Sequence, residues 1–146
     1  MRATVLLISA MLLVTPPIVI GKEQPRTPKR LPLTGTYEMM RGKRPSGTLL
    51  VKQLAPNKIE FELECNRGAP SYSSGWARHK VDIIDGVAVY RTIQFGAVCE
   101  LKFEFKRTEV LVSEIGTGFE CGFGNGVYCG GIYHLKSRKQ PRFEQR

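Results

Sequence analysis

The chain has 146 residues, 42% of them hydrophobic and 24% charged, and carries a net charge of +9. That length suits one domain able to bury a real core and gives no reason to argue for several. The charge sits in the ends: Lys22 to Pro45 holds seven basic residues against Glu23 and Glu38, and Lys136 to Arg146 holds five against Glu144, while the body is close to neutral.

At the start, the apolar run ATVLLISAMLLV follows Met1-Arg2 and gives way to Pro16-Pro17 and Gly21. It is shorter than the about 20 residues a bilayer span needs, and the prolines argue against a retained anchor. The pattern predicts a signal peptide over 1–21 with cleavage after Gly21, and a secreted or periplasmic protein with no membrane span afterwards. Residues 22–34 read as a basic flexible linker, 35–136 as the folded domain and 137–146 as a basic flexible tail. Basic ends of this kind solubilise a chain, and they also attract anionic polymers in a salt-dependent way. No specific nucleic-acid motif accompanies them.

From residue 34 onward the reading is strand after strand. In KIEFELEC, Ile59, Phe61, Leu63 and Cys65 alternate with Lys58, Glu60, Glu62 and Glu64, and CELKFEFK repeats the pattern with Cys99, Leu101, Phe103 and Phe105. Period-two alternation marks strands with one wet face. Less regular runs are TGTYEMM, GTLLVKQL, GWARHKVDII, GVAVYRTI, EVLVSEI and GIYHLK, separated by turn signals that include Asp85-Gly86. No run outside the signal peptide carries a helical period. The chain is therefore all-β, with about eight strands in an antiparallel meander closed into a barrel; a two-sheet sandwich is the alternative. The expected core includes Ile59, Phe61, Leu63, Val87, Val89, Leu101, Phe103 and Phe105, with Glu60, Glu62, Glu64, Glu100 and Glu104 on a solvated outer face.

The segment FECGFGNGVYCGGIY, residues 119–133, invites three chemistries. A dinucleotide fingerprint needs G-x-G-x-x-G before a helix, whereas Gly122, Gly124 and Gly126 give G-x-G-x-G with no helical pattern after it. A phosphate loop needs lysine and Ser/Thr where Ile132 and Tyr133 stand. A strapped turn fits better: glycines allow positive φ, Asn125-Gly126 favours reversal, Phe119, Phe123, Tyr128 and Tyr133 would cover a barrel end, and Cys121 and Cys129 would fix the loop. Glycine can also mark close approach to a ligand, which is the functional alternative.

Four cysteines, Cys65, Cys99, Cys121 and Cys129, are an even number in an exported chain, so two disulfides are expected, with three pairings open. A metal site is not expected, because Cys121 and Cys129 lie eight apart and His79 and His134 sit in separate strand-like runs. Catalysis has little support either. His79 lies near Asp82 and Asp85 with Ser71, Ser73 and Ser74 upstream, but no G-x-S-x-G elbow is present, and the glutamates alternate with core residues. The chain reads as a non-enzyme.

Taken in order, GTYE, GTLLVKQL, KIEFELE, DGVAVYR, CELKFEF and CGFGNGVYCGGIY resemble a family of small exported bacterial proteins. Its hallmark is C-x-L-x-F-x-F followed about twenty residues later by C-G-F-G-x-x-V-Y-x-x-G-x-Y. The match covers nearly all of 35–136, and some members resemble envelope lysozyme inhibitors. The resemblance implies a small β-barrel-like domain, no cofactor and no catalytic residues. It also implies a Cys99–Cys121 disulfide; Cys65 and Cys129 stand outside the family pattern, which suggests that they bond each other.

The function expected from these features is that of an exported, disulfide-stabilised, monomeric binding or inhibitory module acting through its loops on a protein or anionic polymer. Candidate contacts are Arg41, Lys43 and Arg44 for an acidic partner, and Tyr72 and Trp76 as aromatic anchors. Basic ends would repel a basic lysozyme. The alternative is a carrier of a small apolar ligand inside a lipocalin-like barrel, set against the many bulky inward residues.

Overall fold

Alternation of apolar and polar residues is carried through into eight strands. The structure is a computed structural model describing residues 32–143 apart from Lys43, Phe95 and Thr117. The proposed signal peptide, the linker up to residue 31 and the last three residues of the tail lie outside the described residues. In chain order the strands are β1 (Gly35–Arg41), β2 (Arg44–Ala55), β3 (Lys58–Asn66), β4 (Ser74–Ile84), β5 (Val87–Gln94), β6 (Ala97–Phe105), β7 (Glu109–Ile115) and β8 (Gly131–Ser137). No helix occurs among the described residues.

Each strand pairs antiparallel with the next, and β1 pairs with β8 through Tyr37–Leu135 and Glu38–His134. The sheet is a closed barrel, which decides against the sandwich. Ile59, Phe61, Leu63, Leu101 and Phe103 point inward with no exposure. Phe61 of β3 and Phe103 of β6 meet inside the barrel with ring centroids 4.7 Å apart, so packed rings occupy the interior at this level.

Strand β5 departs from the expected core. Asp85 and Gly86 both have positive φ, 50° and 80°, as a two-residue hairpin of the I′ kind requires. That turn sets Ile84 opposite Val87 and Ile83 opposite Ala88. Residues opposite one another share a face, so Ala88 and Tyr90 go inward while Val87 is only half-buried and Val89 is exposed. Ala88 also lies opposite Phe103, where a large inward ring leaves room for a small neighbour. Phe105, at the end of β6, is only partly buried against the core.

The outer face is drier than expected: Glu62 is buried, and the side chains of Glu60 and Glu100 are only 13% and 14% exposed. Glu62 is 4% exposed, although it points away from the barrel interior. It lies opposite Arg78 of β4, and the Arg78 guanidinium sits 4.6 Å from the centroid of the Phe143 ring near the end of the described chain. Arg78 also holds Glu60 with two hydrogen bonds of 2.8 and 3.0 Å, and Arg91 of β5 bonds Glu100 of β6, so the wall outside β3–β6 is laced with ion pairs.

At the end of the barrel holding the chain termini, Arg138 donates to the carbonyls of Pro32 and Arg107 and to the Tyr37 hydroxyl, which itself donates to Leu33. One guanidinium therefore ties the entry to β1, the exit from β8 and the β6–β7 turn. Burial pushes the Tyr37 phenol above its ordinary pKa, partly countered by Arg138.

One seam is short. β4 has 11 residues and β5 has 8, yet they pair only at Ile83–Ala88 and Ile84–Val87. Beyond those two pairs the strands part.

Candidate functional site: the stapled loop end

An up-and-down barrel places alternate connections at the same end. The β1–β2, β3–β4, β5–β6 and β7–β8 connections therefore gather opposite the Arg138 clamp. The long 116–130 loop between β7 and β8 is built from short-range hydrogen bonds: Phe123 N–H to Gly118 at 2.7 Å, Gly122 N–H to Phe119 at 2.9 Å, and Val127 N–H to Gly124 at 3.0 Å. The last closes a turn with Asn125 and Gly126 at its centre, and Gly126 takes a φ of 67°. The reversal expected at this pair is present.

Two disulfides hold the loop, Cys99–Cys121 to β6 and Cys65–Cys129 to β3. The loop then reaches across to β4, where Gly124 N–H donates to Ser74 at 2.9 Å and Phe123, 4% exposed, lies over Gly75. A Cβ at Gly75 would stand 2.5–2.9 Å from Phe123 carbons, so this glycine serves close packing within the protein. Arg67 adds a 3.5 Å contact from the β3–β4 loop to Asn125.

Beneath the loop lies a polar knot. Glu114, the last inward position of β7, accepts the Cys129 N–H at 2.7 Å, and the buried Tyr133 hydroxyl donates to the Cys129 carbonyl at 2.8 Å. Burial raises the Glu114 carboxyl above its ordinary pKa against the pull of the Cys129 and Gly130 N–H groups. Burial, with the Glu114 charge behind it, pushes the Tyr133 phenol strongly upward. Sequence patterning did not single out Glu114; its signal was an acid in phase with Val110 and Val112.

Of the four aromatic residues expected to cover this end, Phe123 and Tyr133 are buried, whereas Phe119 is 64% exposed and Tyr128 is also exposed. Four of the predicted contact residues lie here on two neighbouring hairpins. Arg41 and Arg44 face each other directly across β1–β2, both exposed, with Lys43 between them and outside the described residues. Like charges placed opposite one another destabilise a sheet, and an anion between them would relieve the repulsion. Tyr72 is 75% exposed with a φ of 49°, a conformation that a bulky side chain rarely adopts. Trp76 stands on the outer face of β4, opposite Glu64. Sequence reading missed Ile93, Val98 and Ile115, which are exposed near the same end; Ile93 and Val98 are cross-strand partners at the wet positions beside the β5–β6 turn.

His79 packs against rings, Tyr90 at 4.1 Å and Phe61 at 6.4 Å between centroids, and among the described residues no hydrogen bond joins it to Ser71, Ser73 or Ser74. Comparison with family models, curated proteins and solved structures finds no match to this chain.

Proposed function

We propose that this protein is an exported, disulfide-stabilised binding module that engages a protein or anionic polymer through the stapled loop end. The observation that carries this reading is the gathering of exposed Tyr72, Phe119, Tyr128 and Ile93 with the facing Arg41 and Arg44 at one end of a packed barrel. Monomeric proteins rarely expose so many large apolar groups together, and aromatic and arginine side chains supply most interface hot spots. The two disulfides are compatible with an oxidising compartment. Export and membership of the small exported bacterial family resembled by its motifs belong to the same proposal. The interior contact between Phe61 and Phe103 weighs against the carrier alternative.

The test is capture from the exported fraction, read by mass spectrometry, with heparin as the anionic-polymer probe. Wild-type protein retains a partner or heparin at low salt; Tyr72→Ala with Trp76→Ala, or Arg41→Ser with Arg44→Ser, weakens retention at least about tenfold, the range of hot-spot losses. Full retention by both folded variants overturns the assignment. A bound apolar molecule of a few hundred daltons in native mass spectrometry would instead establish the carrier.

A further inference from the structure

The exposed apolar side chains of the loop end are not gathered on one side of the barrel. Met40 on β1, Trp76 on β4, Ile93 on β5, Val98 on β6, Ile115 on β7 and Ile132 on β8 are all exposed, and each stands no more than two residues from the loop end of its strand. Alternation turns them outward, since Met39, Ala77, Cys99 and Tyr133 beside them are buried in the core. In the closed barrel β1 lies across from β5 and β4 across from β8, so Met40 and Ile93 stand on opposite sides, as do Trp76 and Ile132. Together they form a belt around the rim. The loops beyond the belt add exposed Tyr72, Phe119 and Tyr128.

A belt that runs around the rim cannot be covered by one protein surface applied from one side. A medium that surrounds the whole end covers it, as the headgroup layer of a bilayer does. At a rise of about 3.3 Å per residue the belt is about 7 Å deep, within the about 5–10 Å to which peripheral apolar faces sink. Charge fits the same surface. Among the described residues, exposed Arg41, Arg44 and Arg67 stand at this end against Glu64 and Glu120, while Glu100 is held by Arg91. An excess of arginine draws anionic headgroups, and tryptophan and tyrosine favour the boundary between water and lipid. Below the belt the outer wall carries Arg91 with Glu100, Arg78 with Glu60 and Lys102 with Glu104. Charges of this kind on a lipid-facing wall are costly, so they halt the barrel at the interface and keep it from spanning.

We propose that the loop end docks on an anionic lipid surface, with the belt in the interfacial layer and Arg41, Arg44 and Arg67 against headgroup phosphates. The proposal rests on the reading of this end as the contact surface and goes beyond a protein or dissolved polymer as its partner. The barrel stands on the membrane without crossing it. Ile84, exposed at the opposite end beside the β4–β5 turn, stays in water.

The test mixes oxidised protein from the exported fraction with vesicles of phosphatidylcholine and phosphatidylglycerol, and with vesicles of phosphatidylcholine alone. Binding is read by cosedimentation and by the fluorescence of Trp76, the one tryptophan of the chain. The anionic vesicles retain the protein and shift Trp76 emission to the blue, and both effects weaken as salt rises. Ile93→Ser with Phe119→Ser, at exposed positions outside the core, lowers partition at least about tenfold, whereas Ile84→Ser leaves it unchanged. Arg41→Ser with Arg44→Ser erases the preference for phosphatidylglycerol. Binding with Trp76 emission unmoved overturns the proposal, as does partition unchanged in the Ile93 and Phe119 variant, the result that an inserting N-terminal apolar run would give. Retention of heparin or of a captured protein without vesicle binding also overturns it, while the loop-end reading stands; failure of all these probes removes both.

Discussion

The imidazole of His79 lies nearly parallel to the phenol ring of Tyr90, 20° between planes and 4.1 Å between centroids, where β4 and β5 have parted. Desolvation there lowers the His79 pKa below its ordinary value of 6.5. The unfolded chain then takes up a proton more readily than the folded one as pH falls below 6.5, so this contribution to stability is present above 6.5 and is lost as pH falls through the lowered folded value. Denaturant midpoints will therefore decline on acidification, and His79→Phe, which retains an aromatic ring without a titrating group, will remove that share of the decline. An unchanged acid dependence in the variant contradicts the assignment.

Glu114 has the opposite sign. Its raised pKa means that folding favours the protonated form, so its contribution is present below the ordinary value of 4.5 and is lost as pH rises through the folded value. Glu114→Gln retains an acceptor for Cys129 and will be at least as stable as the parent at neutral pH. Glu114→Ala leaves buried N–H groups without that acceptor and will cost about 1–3 kcal/mol. Equilibrium unfolding of the three proteins at neutral pH and near pH 4 orders them.

Gly75→Ala will destabilise by about 1–3 kcal/mol through overpacking, because the new methyl must displace the Phe123 ring. Adding Phe123→Leu will recover part of the loss. Additive losses in the double variant would show that the two positions are not coupled through this contact.

The disulfides will differ in worth. Cys65–Cys129 spans a sequence separation of 64 and Cys99–Cys121 one of 22. Chain-entropy arithmetic gives about 4 kcal/mol for the longer loop and about 3 for the shorter. Paired Cys→Ala variants measured by denaturant unfolding should fall in that order.

Tyr72→Gly removes the left-handed strain of a bulky residue and adds the chain entropy of glycine, two effects of about 0.5–1.5 kcal/mol that nearly cancel. Stability will stay within about 0.5 kcal/mol of the parent while capture of the partner falls. Loss of stability without loss of capture would make Tyr72 a structural residue.

KIEFELEC and CELKFEFK already specify β3 and β6, with the inward set Ile59, Phe61, Leu63, Leu101 and Phe103, because period-two alternation is a local property of the chain. The Asp85-Gly86 turn was equally legible, since positive φ is a local demand. Closure of β1 on β8, the inward turn of Ala88 and Tyr90 in place of Val87 and Val89, the burial of Glu62 and the parting of β4 from β5 were decided by tertiary structure. Each depends on what stands opposite a residue rather than beside it in sequence: β5 takes its face from the hairpin register and the bulk of Phe103, and Glu62 and Glu114 take their environments from groups brought together only when the barrel closes.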